Sequence, residues 1–125
     1  MAGRSEHAEQ AVFVGRMRNF HPDVLVAAVP NGGLRDKRVA AKLKAEGVLP
    51  GFPDLVVMEP RGEYHGAVVE MKSLTGRVST DQARVLGRLR RKGYHVVVAR
   101  GADEAFAEVE RYLALETLDA FRALG

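Results

Sequence analysis

Gly51-Phe52-Pro53-Asp54 opens an apolar run, which leads through a short polar loop to Val68-Val69-Glu70-Met71-Lys72. This order leaves the middle of the chain few ways to fold. Residues 54–58 and 66–72 have strand length and strand composition, and only Glu59-Pro60-Arg61-Gly62-Glu63-Tyr64-His65 separates them. So short a connection closes an antiparallel hairpin; a parallel crossover needs a dozen residues or more. Side chains alternate along a strand, so Glu70 and Lys72 share one face while Val69 and Met71 point to the core. With the loop centred on Gly62, facing residues have numbers summing to 124, and Asp54 stands opposite Glu70. Their Cβ atoms are then roughly 5 Å apart, or roughly 7 Å if the register shifts by two. A shift of one would send them to opposite faces.

Two carboxylates at that separation suit a hard divalent cation, Mg²⁺ or Mn²⁺. A water bound to such an ion becomes acidic enough to attack phosphorus. Lys72 can hold that water or offset charge growing on the phosphate. Glu6 or Glu9 can add a third acid if the first helix packs beside the hairpin. Alone, an acid–x–lysine pair on a strand is usually a solvated face. The added weight here comes from Pro53-Asp54, the facing register and the capped basic helix that follows.

The flanking segments read as follows. Residues 5–19 form a helix capped by Ser5, with Ala8, Ala11, Val12 and Gly15 as its small buried stripe. His21-Pro22 ends it. Val24–Val29 is a short strand, closed by Pro30-Asn31-Gly32-Gly33. Residues 34–46 form a helix with a basic surface and Val39, Ala40 and Leu43 on its apolar side; Gly47 stops it. Ser79 and Gln82 make a capping box for a helix running to about Lys92, with Val85, Leu86 and Leu89 inward. Residues 94–99 are a buried strand. Residues 102–115 are an amphipathic helix through Phe106, Val109, Tyr112 and Leu113, and a helical tail can follow through Leu118, Phe121 and Leu124. The whole is one mixed α/β domain, residues 1–125, with helices packed on a small sheet.

The chain has 125 residues and no cysteine, which excludes disulfide frameworks, thiolate zinc sites and cysteine nucleophiles. It has no apolar run long enough to span a membrane and no signal-like start, so a soluble, cytoplasmic protein is expected. The net charge of +3 is mild; its distribution says more. Arg35, Lys37 and Arg38 fall in one basic group. Arg77, Arg84, Arg88 and Arg91 fall in another, and 84, 88 and 91 share a helical stripe. Both groups can track phosphates, or simply solubilise a face. Asn31 reads as a turn residue that can also touch the site or a bound nucleic acid. The four histidines have no ligand spacing. No phosphate-cradling glycine loop or Ser-His-Asp arrangement is present.

Gly51-Phe52-Pro53-Asp54-Leu55-Val56-Val57, Val69-Glu70-Met71-Lys72, Ser79-Thr80-Asp81-Gln82 and Gly93-Tyr94-His95-Val96-Val97-Val98 together resemble the VRR-NUC domain, a branch of the PD-(D/E)XK nuclease superfamily. The resemblance extends to Glu6 with Gln10, to Pro30-Asn31-Gly32-Gly33 and to Ala45-Glu46-Gly47. It implies a restriction-endonuclease-like core and a metal-dependent DNA endonuclease, with Asp54, Glu70 and Lys72 as catalytic residues. It also implies Glu6 as the first-helix acid, the Met71 carbonyl as a further ligand to Mg²⁺ or Mn²⁺, and Gln82 as an active-site neighbour. Stand-alone members come largely from phages and bacteria and are similar to dimeric Holliday-junction resolvases. Branched DNA and a homodimer are the expected partners, with replication, recombination or repair as the setting. Leu115, Leu118, Phe121 and Leu124 can serve the dimer contact or complete the monomer core. Two other readings use the same residues: a non-catalytic DNA-binding or assembly module, and a restriction-type nuclease for linear DNA.

Overall fold

A computed structural model describes residues 4–30 and 36–117. Eight elements follow one another: α1 (Glu6–Phe20), β1 (Val26–Ala28), α2 (Lys37–Ala45), β2 (Leu55–Val57), β3 (Ala67–Lys72), α3 (Thr80–Arg91), β4 (His95–Arg100) and α4 (Ala102–Leu113). The strands form one sheet in the order β1-β2-β3-β4. The first two pairings are antiparallel, and β3 pairs with β4 in parallel after the α3 crossover.

The hairpin has the expected register. Leu55 faces Val69, Val56 faces Val68 and Val57 faces Ala67. The alternation then divides the sheet. Leu55, Val57, Ala67, Val69, Met71, Val97 and Ala99 join Phe13 and Met17 of α1 and Ala102, Ala105, Val109 and Tyr112 of α4 in the main core. The even-numbered residues of β3 face the other way, toward α3, where Val85 and Leu86 are buried.

Three expectations are corrected. The buried stripe of α1 is Phe13 and Met17, while Ala11 and Gly15 are exposed. The small residues suggested close packing, but the core took the larger apolar side chains, which remove more surface from water. The α2 helix starts at Lys37, capped by Asp36, and buries none of its residues; Val39 is 46 % exposed. The β4 strand is an edge strand, so only Val97 and Ala99 of it are fully buried. Arg35, Asn31, Leu118, Phe121 and Leu124 lie outside the described residues.

Two long-range ties hold the ends. Gly101 caps α4 without a side chain, and the Glu9 carboxylate from α1 accepts from the Ala102 N–H at 3.2 Å. That places a negative charge at a helix N-terminus, where the dipole favours it. At the hairpin loop, Gly62 N–H donates to the Glu116 carbonyl at 2.7 Å. Tyr112 donates its hydroxyl to the Glu59 carbonyl at 2.6 Å; burial pushes the Tyr112 phenol up to about 12.

Candidate active site

The end of the β2–β3 hairpin and the N-terminus of α3 form one cleft. Glu6, Asp54, Glu70, Lys72 and Gln82 line it, with Phe52 and Asp81 at its sides. Asp54 lies one residue before β2, and its Oδ2 accepts from the Met71 N–H at 2.7 Å. This bond fixes the aspartate against β3 beyond the last paired residues. In an extended strand a residue's N–H and C=O point to the same edge. The Met71 carbonyl is therefore directed to the Asp54 side as well.

Glu70 is only 3 % exposed, an unusual position for a carboxylate. It sits mid-face on β3, between the sheet and α3. Lys72, two residues on, brings Nζ to 3.4 Å from Glu70 Oε2. Gln82 joins the pair. Its Nε2 donates to Glu70 Oε2 at 2.7 Å, and its Oε1 accepts from Lys72 Nζ at 2.8 Å. The same Oε1 accepts from the Ser79 N–H at 2.9 Å, completing the capping box with Ser79 Oγ. One residue therefore starts the helix and orients both catalytic candidates.

Burial pushes the Glu70 carboxyl up to about 7, and the charge of Asp54 adds to the rise; Lys72 opposes it. Two acids forced together inside a low-dielectric cleft favour a proton or a cation between them. The donor set is carboxylate and carbonyl oxygen, the kind that Mg²⁺ and Mn²⁺ prefer. Among the described residues, no three acids or histidines stand close enough to enclose a metal by themselves. Glu6 lines the cleft without closing on Asp54 and Glu70. Two carboxylates with waters filling the remaining positions still fit a Mg²⁺ site, which usually keeps several waters.

Glu9, the rival first-helix acid, is engaged elsewhere. One oxygen caps α4 and the other pairs with Arg4. The Arg4 hydrogen bond and the Ala102 N–H hold its carboxyl below the usual range.

Gly51 explains the glycine in the central motif. It adopts φ +86°, and a Cβ there would come within 2.6 Å of the Asp81 carbonyl carbon. The chain needs glycine to lie directly against the first turn of α3. The sequence alone assigns Gly51 no backbone role; the positive φ and the partner it approaches are visible only in three dimensions.

The basic residues are less concentrated at the cleft than their spacing suggested. Arg77, Arg84 and Arg88 are exposed. Arg84 pairs with Asp81 at 3.1 Å, and Arg88 lines a neighbouring groove with Leu49 and Phe52. Lys37 and Arg38 lie on α2, and neither lines the cleft that holds Asp54 and Glu70. Sequence reasoning missed Arg100, whose Nη1 donates to the carbonyls of Ser73, Leu74 and Gly76 at 2.5, 3.3 and 2.6 Å. No signal in the sequence pointed to it, because the contact follows from the parallel pairing that sets Arg100 beside Lys72.

The family model of the VRR-NUC domain matches residues 5–103. Among solved structures, a chain described as a VRR_NUC domain protein is similar, with 28% identity, a TM-score of 0.80 and 94% of each chain covered. No curated protein matches the sequence. The mixed sheet with flanking helices is the architecture expected of a PD-(D/E)XK core.

Proposed function

The chain belongs to the VRR-NUC family, a nuclease domain with DNA as its implied substrate; from that premise we propose that it is a Mg²⁺- or Mn²⁺-dependent endodeoxyribonuclease that prefers branched DNA. The observation that carries this reading is the convergence of Asp54, Glu70 and Lys72, with Lys72 Nζ 3.4 Å from Glu70. Asp54, Glu70 and the Met71 carbonyl would hold the ion. When bound, it supplies Lewis-acid polarisation of the phosphate and a more acidic water.

The chain's own residues do the rest. Asp54 stays fixed by the Met71 N–H, so its free oxygen is presented at a constant place. Gln82 holds Lys72 and Glu70 through its two amide atoms. Lys72 brings a positive charge to the pentavalent phosphate, where charge grows in the transition state. Glu6, which lines the same cleft, would orient water there. Lys37, Arg38, Arg77, Arg84 and Arg88 supply sequence-independent contacts to phosphates away from the reacting centre. Symmetrical cutting of two strands would need a second copy, so we infer a homodimer. Of the four apolar positions considered for that contact, Leu115 lies among the described residues, 42 % exposed beside the hairpin loop. No helix among the described residues is long and apolar enough to cross a membrane.

The test is a cleavage panel of linear duplex, single strand, flap and four-way junction, each with Mg²⁺, Mn²⁺ or chelator. Metal-dependent cutting that favours the junction is expected. Binding of all four substrates without cutting in any metal would mean a non-catalytic module, and discrete cuts in linear duplex alone would mean a restriction-type enzyme.

A further inference from the structure

Leu74 is 82 % exposed, more than any other large apolar side chain among the described residues. A single exposed leucine is ordinary on a protein surface. This one differs in where it sits and in how it is held. It follows Lys72 by two residues and lines a second cleft, which meets the catalytic cleft at Glu6 and Lys72. Its loop is also fixed. Arg100 donates through Nη1 to the carbonyls on both sides of it and to its own. Ser73 Oγ accepts from the Gly76 N–H at 3.0 Å across the turn. These hydrogen bonds hold the backbone while the side chain projects into solvent. The second cleft is also lined by Glu6, Glu9, Arg4 and Arg100; Arg4 pairs with Glu9 and Arg100 holds the loop, which leaves Lys72, at the junction of the two clefts, to meet a phosphate.

We propose that Leu74, on the loop pinned by Arg100, is a wedge that packs against nucleobases beside the phosphate held at Lys72. Apolar side chains inserted at a base step partly unstack it. That costs little where bases are already unpaired or strained, as at a branch point, and more in a continuous duplex. A rigid wedge next to the catalytic lysine thereby converts DNA shape into a preference of the site. Arg100 is a positioning residue, acting through the loop. The inference rests on the nuclease reading for its substrate, and it deepens that reading by naming what selects the DNA.

The experiment uses a four-way junction and a linear duplex with the same arms, with 2-aminopurine walked across the branch point. Binding is followed by fluorescence in Ca²⁺, and cleavage in Mg²⁺. The wild-type protein should brighten at least one position in the junction. Leu74→Ala should lose that brightening and reduce the junction-over-duplex preference about tenfold, with an unchanged thermal melt. Leu74→Met should retain both. Arg100→Ala should reproduce the loss, because the wedge is then no longer held. If Leu74→Ala keeps the brightening and the preference, or if the wild-type protein brightens no position, the wedge is overturned while a nuclease activity can stand. If nothing is cut yet brightening depends on Leu74, the wedge stands and the nuclease reading falls.

Discussion

Gln82 Nε2 donates to Glu70 Oε2 at 2.7 Å, from the first turn of α3 to the middle of β3. The same amide accepts from Lys72 and from the Ser79 N–H. With three partners its orientation is determined, and the helix start is coupled to the sheet face that carries Glu70 and Lys72. Gln82→Ala should therefore cost about 1 kcal/mol of stability through the lost cap. It should lower the cleavage rate more than that cost alone predicts, by about tenfold or more. Chemical denaturation beside single-turnover cleavage separates the two effects. An unchanged rate would show that Gln82 is only a cap.

Glu70 should make stability depend on pH in an unusual direction. Its ordinary value is 4.5, and in the folded chain it rises to about 7 because it is buried beside Asp54. Between these values the folded state binds more protons than the unfolded state, so stability falls as pH rises. The contribution is full below about 4.5 and is lost on passing about 7. It amounts to about 3 kcal/mol at most. Thermal melts of metal-free protein at pH 5 and 8 measure the total slope. Glu70→Gln should flatten it, and an equal slope in both proteins would contradict the assignment. Mg²⁺ should restore stability at pH 8, since a cation replaces the proton.

Glu6 and Glu9 should separate cleanly. Glu9→Ala removes the carboxylate at the N-terminus of α4 and should cost about 1 kcal/mol. Its cleavage, measured well below the melting temperature, should stay near wild type. Glu6→Ala should leave the melt unchanged and reduce cleavage. The reverse pattern would reassign the first-helix acid.

Gly51→Ala should damage the site from outside it. The left-handed φ of +86° is strained for alanine, and the added Cβ would press on the Asp81 carbonyl. A loss of about 1–3 kcal/mol is expected, with reduced cleavage because the first turn of α3 carries Gln82. Urea denaturation and activity should fall together. A fully active and equally stable variant would mean that the approach relaxes without consequence.

Tyr112→Phe provides the contrasting case. It removes the hydroxyl bonded to Glu59 at the far end of the hairpin and should cost about 1 kcal/mol. Cleavage should be unaffected once the protein is folded, so a change in rate would reveal coupling along the hairpin.

Much of the β2–β3 hairpin was legible in the residues themselves. A short polar connection and strict alternation determine which residues face one another, because a one-residue slip would reverse every side chain. Pro53-Asp54, Glu70 and Lys72 therefore read correctly as one face, and Ser79 with Gln82 read correctly as a cap. These are relations between residues close in sequence. The α1 stripe read wrongly, because Ala8, Val12 and Gly15 match a helical period as well as Phe13 and Met17 do, and only the core volume chooses between them. The engagement of Glu9 was also hidden: its partner Ala102 lies 93 residues away. So was the grip of Arg100 on the loop at 73–76, since β4 had first to lie parallel to β3. Local chemistry determined the strands, the cap and the acids. Tertiary structure decided which acid was already occupied, which glycine had to be a glycine and which loop was held still, because those outcomes depend on backbone groups brought together only when the sheet and helices close.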